Sequence, residues 1–291
     1  MGLSRIVRHI RASAGLSQEN FADKIGVSRL TVTRWESGVS IPNKIAQIRI
    51  YDLAEEHNVE FFDLIISDMP EHKPENNKVI LYHASRTGIV GPIAPKSRSR
   101  CDFGKGFYMG TQPSQPLTLI FDSDKDTTEK AVVYIVELDL DGLRVLYLPT
   151  GIDWALLVAY SRAVMKKYAG TPLYEKYSKM LDGYDVVVGK IADDRLFAAL
   201  ERFFEGSMTD KGMIECLSVL PLGEQYVALT EKACKQITIL GERRFSELER
   251  LCIYDVGIRN KKYGDEIVKK IYMEYRRDGR FIDEIMKMGD E

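Results

Sequence analysis

An all-α domain followed by an α+β domain and a helical extension is the architecture this sequence predicts. Three observations predict it. Apolar residues at helical spacing fill the first seventy positions; a polar, proline-containing stretch follows; and from Val79 onward β-rich runs alternate with helical ones. The length of 291 residues suits about two domains of ~100–200 residues each. A hydrophobic content of 45% with 29% charged residues excludes global disorder, and a net charge of −2 excludes a histone-like polycation.

In the first domain, residues 1–68, Leu3, Ile6, Val7, Ile10 and Ala14 follow the 3.6-residue period. Gly15 stops that helix and Ser17 caps the next. Gly26 and Ser28 repeat this stop-and-cap pattern before Arg29 to Trp35, and Gly38 with Pro42 closes that helix. Ile45, Ile48, Leu53 and Ala54 continue the stripe, and Val59 to Ile66 make a fifth short helix. Residues 69–78 (MPEHKPENNK) have no apolar period and read as a linker.

In residues 79–241, Val79–Tyr82, Val132–Leu138, Arg144–Leu148, Tyr184–Val188, Gln225–Leu229 and Ile237–Leu240 read as strands, and Trp154–Tyr168, Leu196–Phe204 and Lys211–Val219 as helices. Residues 242–291 read as a helical extension with a last helix over Tyr263–Met288, packed on the domain or on a partner, a solvated helix being the alternative.

Charge is unevenly placed. Residues 1–50 carry eight Lys/Arg and three acids, whereas residues 51–69 carry six acids and no Lys or Arg. A basic face backed by an acidic one suits a polyanion partner. No apolar run reaches the ~20 residues of a membrane helix, and the chain enters an amphipathic helix at once, so a cytoplasmic protein is expected. Cys101, Cys216, Cys234 and Cys252 are scattered, so neither a disulfide framework nor a metal site is expected.

Leu16 to Ser28 followed by Thr31-Val32-Thr33-Arg34-Trp35-Glu36-Ser37-Gly38 resembles the Xre/Cro-type helix-turn-helix family. Phe21, Ala22, Ile25, Val27, Val32 and Trp35 are the apolar positions that pack its two helices, which leaves Ser28, Arg29, Leu30, Thr31 and Arg34 facing outward. The resemblance implies that this second helix enters the major groove. Arg29 and Arg34 suit guanine edges, Leu30 a thymine methyl, and Gln18 a backbone phosphate. A homodimer on paired half-sites is the expected assembly. A helical interaction domain that does not bind DNA is the alternative.

Three stretches stand out in the second domain: Val79-Ile80-Leu81-Tyr82-His83-Ala84-Ser85, Asp102-Phe103-Gly104-Lys105-Gly106-Phe107-Tyr108-Met109-Gly110, and Leu222-Gly223-Glu224-Gln225-Tyr226-Val227-Ala228-Leu229-Thr230. Singly, each has a structural reading: a His at a strand end, a turn beside core aromatics, a solvated Glu-Gln pair. In this order, and with Tyr184-Asp185-Val186-Val187-Val188-Gly189 and Ala192-Asp193-Asp194, they resemble the ADP-ribosyltransferase superfamily in its His-Tyr-Glu branch. More narrowly, they resemble a bacterial family of uncharacterised domains within it.

That resemblance implies split mixed sheets with a helical insert and an NAD-binding cleft between two small sheets, NAD being the substrate and no metal being needed. His83 would bond a ribose hydroxyl, the Ala84 backbone the nicotinamide carboxamide, and Ser85 the nicotinamide ribose or amide. Gly104 and Gly106 would present Tyr108, beside Phe107, to stack on the nicotinamide ring. Asp193 and Asp194 would activate an acceptor or orient Arg195, with a helix cap as the alternative.

Gln225 falls where the branch has its catalytic Glu, with Glu224 just before it. An amide can orient a ribose hydroxyl but brings no charge to an oxocarbenium-like transition state. The expected function is transfer of ADP-ribose onto a macromolecule, protein or nucleic acid, by a toxin with a cognate antitoxin in a toxin–antitoxin or phage-defence system. The alternative is a transcriptional regulator with an inactive, NAD-sensing domain.

Overall fold

A computed structural model describes residues 2–70, 72–74, 76–98, 100–120, 130–192, 194–219, 223–275 and 277–288. Five helices, α1 (Gly2–Ser13), α2 (Gln18–Ile25), α3 (Arg29–Glu36), α4 (Lys44–Glu56) and α5 (Phe62–Ser67), form the N-terminal domain. Ser17 and Ser28 cap α2 and α3 by accepting from Asn20 N and Thr31 N. Gly26 ends α2 in the left-handed conformation at φ 78°, which a side chain would resist. Ile6, Ile10, Phe21, Ile25, Val32 and Ile50 close the core between these helices.

Among its described residues the second domain holds seven strands and the helices between them. The strands are β1 (Lys78–Ser85), β2 (Phe107–Gly110), β3 (Val132–Asp139), β4 (Val145–Tyr147), β5 (Val186–Lys190), β6 (Glu224–Ala228) and β7 (Ile237–Arg244). They form one mixed sheet in the order β4-β5-β6-β2-β1-β3-β7, with only β4 and β5 parallel. Two separate small sheets were expected; instead the halves join, but narrowly, through the single residue pair Tyr82–Gly110. One face of both halves turns onto a shared core of Leu81, Phe107, Tyr134, Val136, Val188 and Tyr226.

The outer faces are covered differently. Helix α6 (Ser114–Ile120) and the N-terminal domain cover the β1-β3-β7 half. A helical insert of α7 (Ile152–Ser161), a 3₁₀ turn (Val164–Tyr168) and α8 (Pro172–Ser178) covers the other half, together with α9 (Asp194–Phe204) and α10 (Asp210–Val219). A short α11 (Glu231–Lys235) leads into β7.

The last segment departs from expectation. In place of a helix over Tyr263–Met288 there is one 28-residue helix, α12 (Glu247–Glu274), then a turn and α13 (Ile282–Met288). The break falls where the Thr209 hydroxyl donates to the Asp278 carbonyl at 2.6 Å and the Arg280 N–H to Asp210 at 2.7 Å. Helix α12 ties both domains. Leu248, Cys252 and Ile253 join the core containing the N-terminal helices, whereas Val268 and Ile271 join that of the insert.

Gln47 of α4 accepts from the Leu248 N–H at 3.0 Å, Tyr51 donates to Asp255, and Arg243 reaches the Ile65 carbonyl, Asp68 and Glu249. At the acidic end of the first domain Asp68 thus meets Arg243, and Glu60 meets Arg259 at 3.8 Å. No helix among the described residues is long and apolar enough to cross a membrane.

Candidate active site and nucleic-acid interface

On α3, Val32 and Trp35 turn inward while Ser28, Arg29, Leu30 and Arg34 are exposed and Thr31 is half-buried. Leu30 is 66% exposed, as are Val39, Ile41 and Ile45 to a similar degree. Ser28 and Thr31 also bond each other through their hydroxyls at 2.8 Å, which fixes the helix start.

The eight basic side chains of the first fifty residues divide sharply. Arg5 bonds Ser67, Arg8 the Glu36 carbonyl, Arg11 the Glu36 carboxylate, Lys24 Glu56, Lys44 Glu247 and Arg49 the Ile25 carbonyl. Arg29 and Arg34 are the two without a partner among the described residues. Gln18, expected on a phosphate, donates to Glu36 at 2.8 Å and accepts from Thr33 at 3.1 Å, so both ends of its amide are engaged within the domain.

In the second domain the expected site residues gather at the seam of the sheet. Gly110 pairs with Tyr82 on one side and Gln225 on the other, so the three lie in a row across β1, β2 and β6. Past that row β1 and β2 no longer pair, and the His83 side chain bridges them, its Nδ1 lying 2.7 Å from the Tyr108 carbonyl. A carbonyl only accepts, so Nδ1 carries the proton and neutral Nε2 is an acceptor. Nε2 has no partner among the described residues. Burial draws the His83 pKa below its ordinary value, against the smaller opposing effect of the Tyr108 carbonyl.

The ring stacked on His83 is Phe107, at 4.1 Å between centroids. Tyr108 takes the opposite face of β2. Its hydroxyl donates to the Gly104 carbonyl at 2.8 Å and accepts from the Phe103 N–H at 3.0 Å, and burial pushes its pKa upward. Gly104 turns at φ 75°, and any side chain at Gly106 would collide with Val227. The two glycines therefore let the turn close against β6 and hold the Tyr108 hydroxyl. Ala84 pairs with Val133 in the sheet, and Ser85 holds the next turn by donating to the Gly88 carbonyl at 3.0 Å.

Strand alternation separates the other two expected residues: Glu224 is exposed and Gln225 only 5% exposed. The Gln225 amide nitrogen donates to Asp102 at 2.7 Å and to the Lys190 carbonyl at 3.1 Å. Two acceptors on one side fix the amide orientation, so Oε1 points away from them; it has no partner among the described residues. Asp102 also takes two bonds from Arg162, at 2.9 and 2.6 Å, and one from the Ala192 N–H at 2.8 Å.

Sequence reasoning missed this network. The only hint was an acidic residue at the head of an otherwise apolar, glycine-rich stretch. Asp193 and Leu222 lie outside the described residues, as do the side chains of Asp194 and Arg195. Among the described residues no three His, Cys, Asp or Glu side chains group as a metal would require.

Residues 79–239, over half of the chain, match the family model described as protein of unknown function DUF3990. The chain belongs to the DUF3990 family. Residues 7–64 match a helix-turn-helix model, so a DNA-binding module precedes the DUF3990 domain. No curated protein and no solved structure matches the chain.

Proposed function

We propose that the DUF3990 domain transfers ADP-ribose from NAD to a macromolecular acceptor, and that the helix-turn-helix module directs it to DNA. The observation that carries this reading is the interrupted sheet. His83 stands at the break with a free acceptor nitrogen, and Gln225 lies in the adjoining three-strand row with its amide oxygen turned away from Asp102 and the Lys190 carbonyl. Two rigid acceptors beside a narrow seam suit sugar hydroxyls.

In this reaction the bond from ribose C1′ to the pyridinium nitrogen breaks, and nicotinamide leaves neutral with the electron pair. The cationic ribose carbon then takes the acceptor nucleophile, whose proton passes to solvent. His83 Nε2 accepts from a ribose hydroxyl, Gln225 Oε1 from the hydroxyl beside the reacting carbon, and the Ala84 backbone and Ser85 hold the amide end. Phe107 backs His83 on one face of β2, and Tyr108 offers its ring on the other. With an amide in place of a carboxylate, charge stabilisation is weaker, and turnover depends on a strong acceptor nucleophile. The setting we propose is a DNA-binding toxin, dimeric on its operator and held by a cognate antitoxin.

The test is nicotinamide release from NAD by the full chain, with and without host-cell lysate, beside His83→Ala and Gln225→Ala. Release that needs lysate and vanishes in both variants is the expected result. Release without lysate makes it a glycohydrolase. A second reading, a regulator that senses NAD without turnover, is favoured by Gln225 itself; it predicts binding with no release. Neither binding nor release would remove NAD from the account.

A further inference from the structure

Beside the Phe103–Gly104 turn, the helical insert leaves a cleft of about 280 Å³. Its walls are aromatic: Phe103, Tyr160, Tyr174 and Tyr177 line it, with Ser161 and Lys166 also at its surface. Tyr160 and Tyr174 meet edge to face at 5.1 Å and 69°, so their rings present two differently oriented flat surfaces. Tyr177 is fixed from behind, its hydroxyl donating to Asp153 at 2.7 Å.

The charge at this cleft is selective. Lys167 donates to the Phe204 carbonyl, Lys176 pairs with Asp153 and Lys179 with Glu175. Lys166 is exposed and has no partner among the described residues. Among the described residues no acidic side chain is part of the lining, and the Glu175 and Asp182 carboxylates act on the Tyr160 hydroxyl from beside it. The chain leaves α7 through Ala163, whose φ of 65° is a left-handed strain for a residue with a side chain. That turn also borders the cleft. Strain of this kind persists where the surroundings impose it, and it concentrates at binding sites.

We propose that this cleft binds an unpaired base of a single-stranded nucleic acid, the base resting on Tyr160 and Tyr174 and Lys166 meeting a flanking phosphate. Flat aromatic walls accept any base through its π face, and a lone cation at the rim tracks the backbone. A peptide strand would need backbone partners along an edge, whereas this cleft is a compact hollow the size of a base and its sugar. The inference stands apart from NAD chemistry, because no step of its test contains NAD.

The test uses the full chain carrying Arg29→Ala and Arg34→Ala, which removes the helix-turn-helix arginines. Labelled single-stranded DNA and RNA of about 12 nucleotides, within the span such grooves cover, are titrated by fluorescence anisotropy. Binding of either oligonucleotide is expected, and the two arms show which sugar is preferred. Tyr174→Ala should weaken it by about tenfold or more, as loss of one base stack does, whereas Tyr174→Phe retains the ring and most of the affinity. Lys166→Glu, on an exposed side chain, should weaken binding and reduce its salt dependence without touching the fold. No binding of either oligonucleotide, or binding indifferent to Tyr174→Ala and Lys166→Glu, would overturn the proposal.

Discussion

The two domains contain the same buried arrangement, an arginine and a glutamine amide converging on one carboxylate. In the helix-turn-helix it is Arg11, Gln18 and Glu36; in the DUF3990 domain it is Arg162, Gln225 and Asp102. Both carboxylates have side chains only 6% exposed. The difference lies at the far end of the amide. Gln18 Oε1 accepts from Thr33, so that glutamine is engaged at both ends and serves as a brace between α2 and α3. Gln225 Oε1 has no partner among the described residues, so the same brace presents an acceptor. What a buried glutamine can do outside its network is decided by the lone pairs its network leaves over.

The largest expected effect breaks the second arrangement. Asp102 collects two bonds from Arg162 and one each from Gln225 and the Ala192 backbone. Asp102→Ala removes all four of these bonds, although the Arg162 guanidinium keeps the Ala192 carbonyl and the Gln225 amide the Lys190 carbonyl, at a cost of about 3–5 kcal/mol. Urea unfolding of the full chain reads this, and the turn holding Tyr108 should loosen with it. A loss below about 1 kcal/mol would mean that water replaces the carboxylate.

Glu36→Ala is the matching cut in the first domain and should cost less, about 2 kcal/mol. Glu36 takes three such bonds against the four of Asp102, while Arg11, like Arg162, keeps a backbone carbonyl, here that of Leu16 at 2.8 Å. Equal losses in the two domains would show that donor count does not set the scale.

A smaller effect separates brace from contact on the DNA side. Arg34→Ala should lower affinity for mixed-sequence duplex DNA and reduce the slope of log K against log salt by about one. Gln18→Ala should leave that slope unchanged, because its amide nitrogen already serves Glu36. A slope that falls with Gln18→Ala would return Gln18 to the phosphate backbone.

These networks also explain what the sequence could and could not disclose. Ser17, Gly26 and Ser28 are legible because a cap acts over three or four residues. Strand β2 is four residues with a glycine at its end and leaves no alternation to detect. Helix α12 runs through Gly257 and Gly264, since packing on two cores overrides their poor propensity. Asp102 stands 60 residues from Arg162 and 123 from Gln225, so no local pattern announces their meeting. His83, Tyr108 and Gln225 were each visible by motif; that Phe107 is the ring stacked on His83 and that Gln225 has a fixed orientation were not.

Acid separates the two domains by smaller steps. His83 has its pKa lowered by burial, so below the ordinary value near ~6.5 the unfolded chain takes up a proton that the folded one refuses. Stability contributed at His83 therefore falls as pH drops from about 6.5 toward the folded pKa, and levels off beneath it. For Glu36, burial alone would raise the pKa, but the Arg11 and Gln18 bonds with the Arg11 and Arg8 charges outweigh it and the net shift is downward. Its contribution is complete above about pH 4.3 and is lost as pH falls through the folded value. Unfolding midpoints of wild type against His83→Phe should thus diverge near pH 6, and against Glu36→Gln only near pH 4. A single shared window would mean that the network around Glu36 does not hold it ionised.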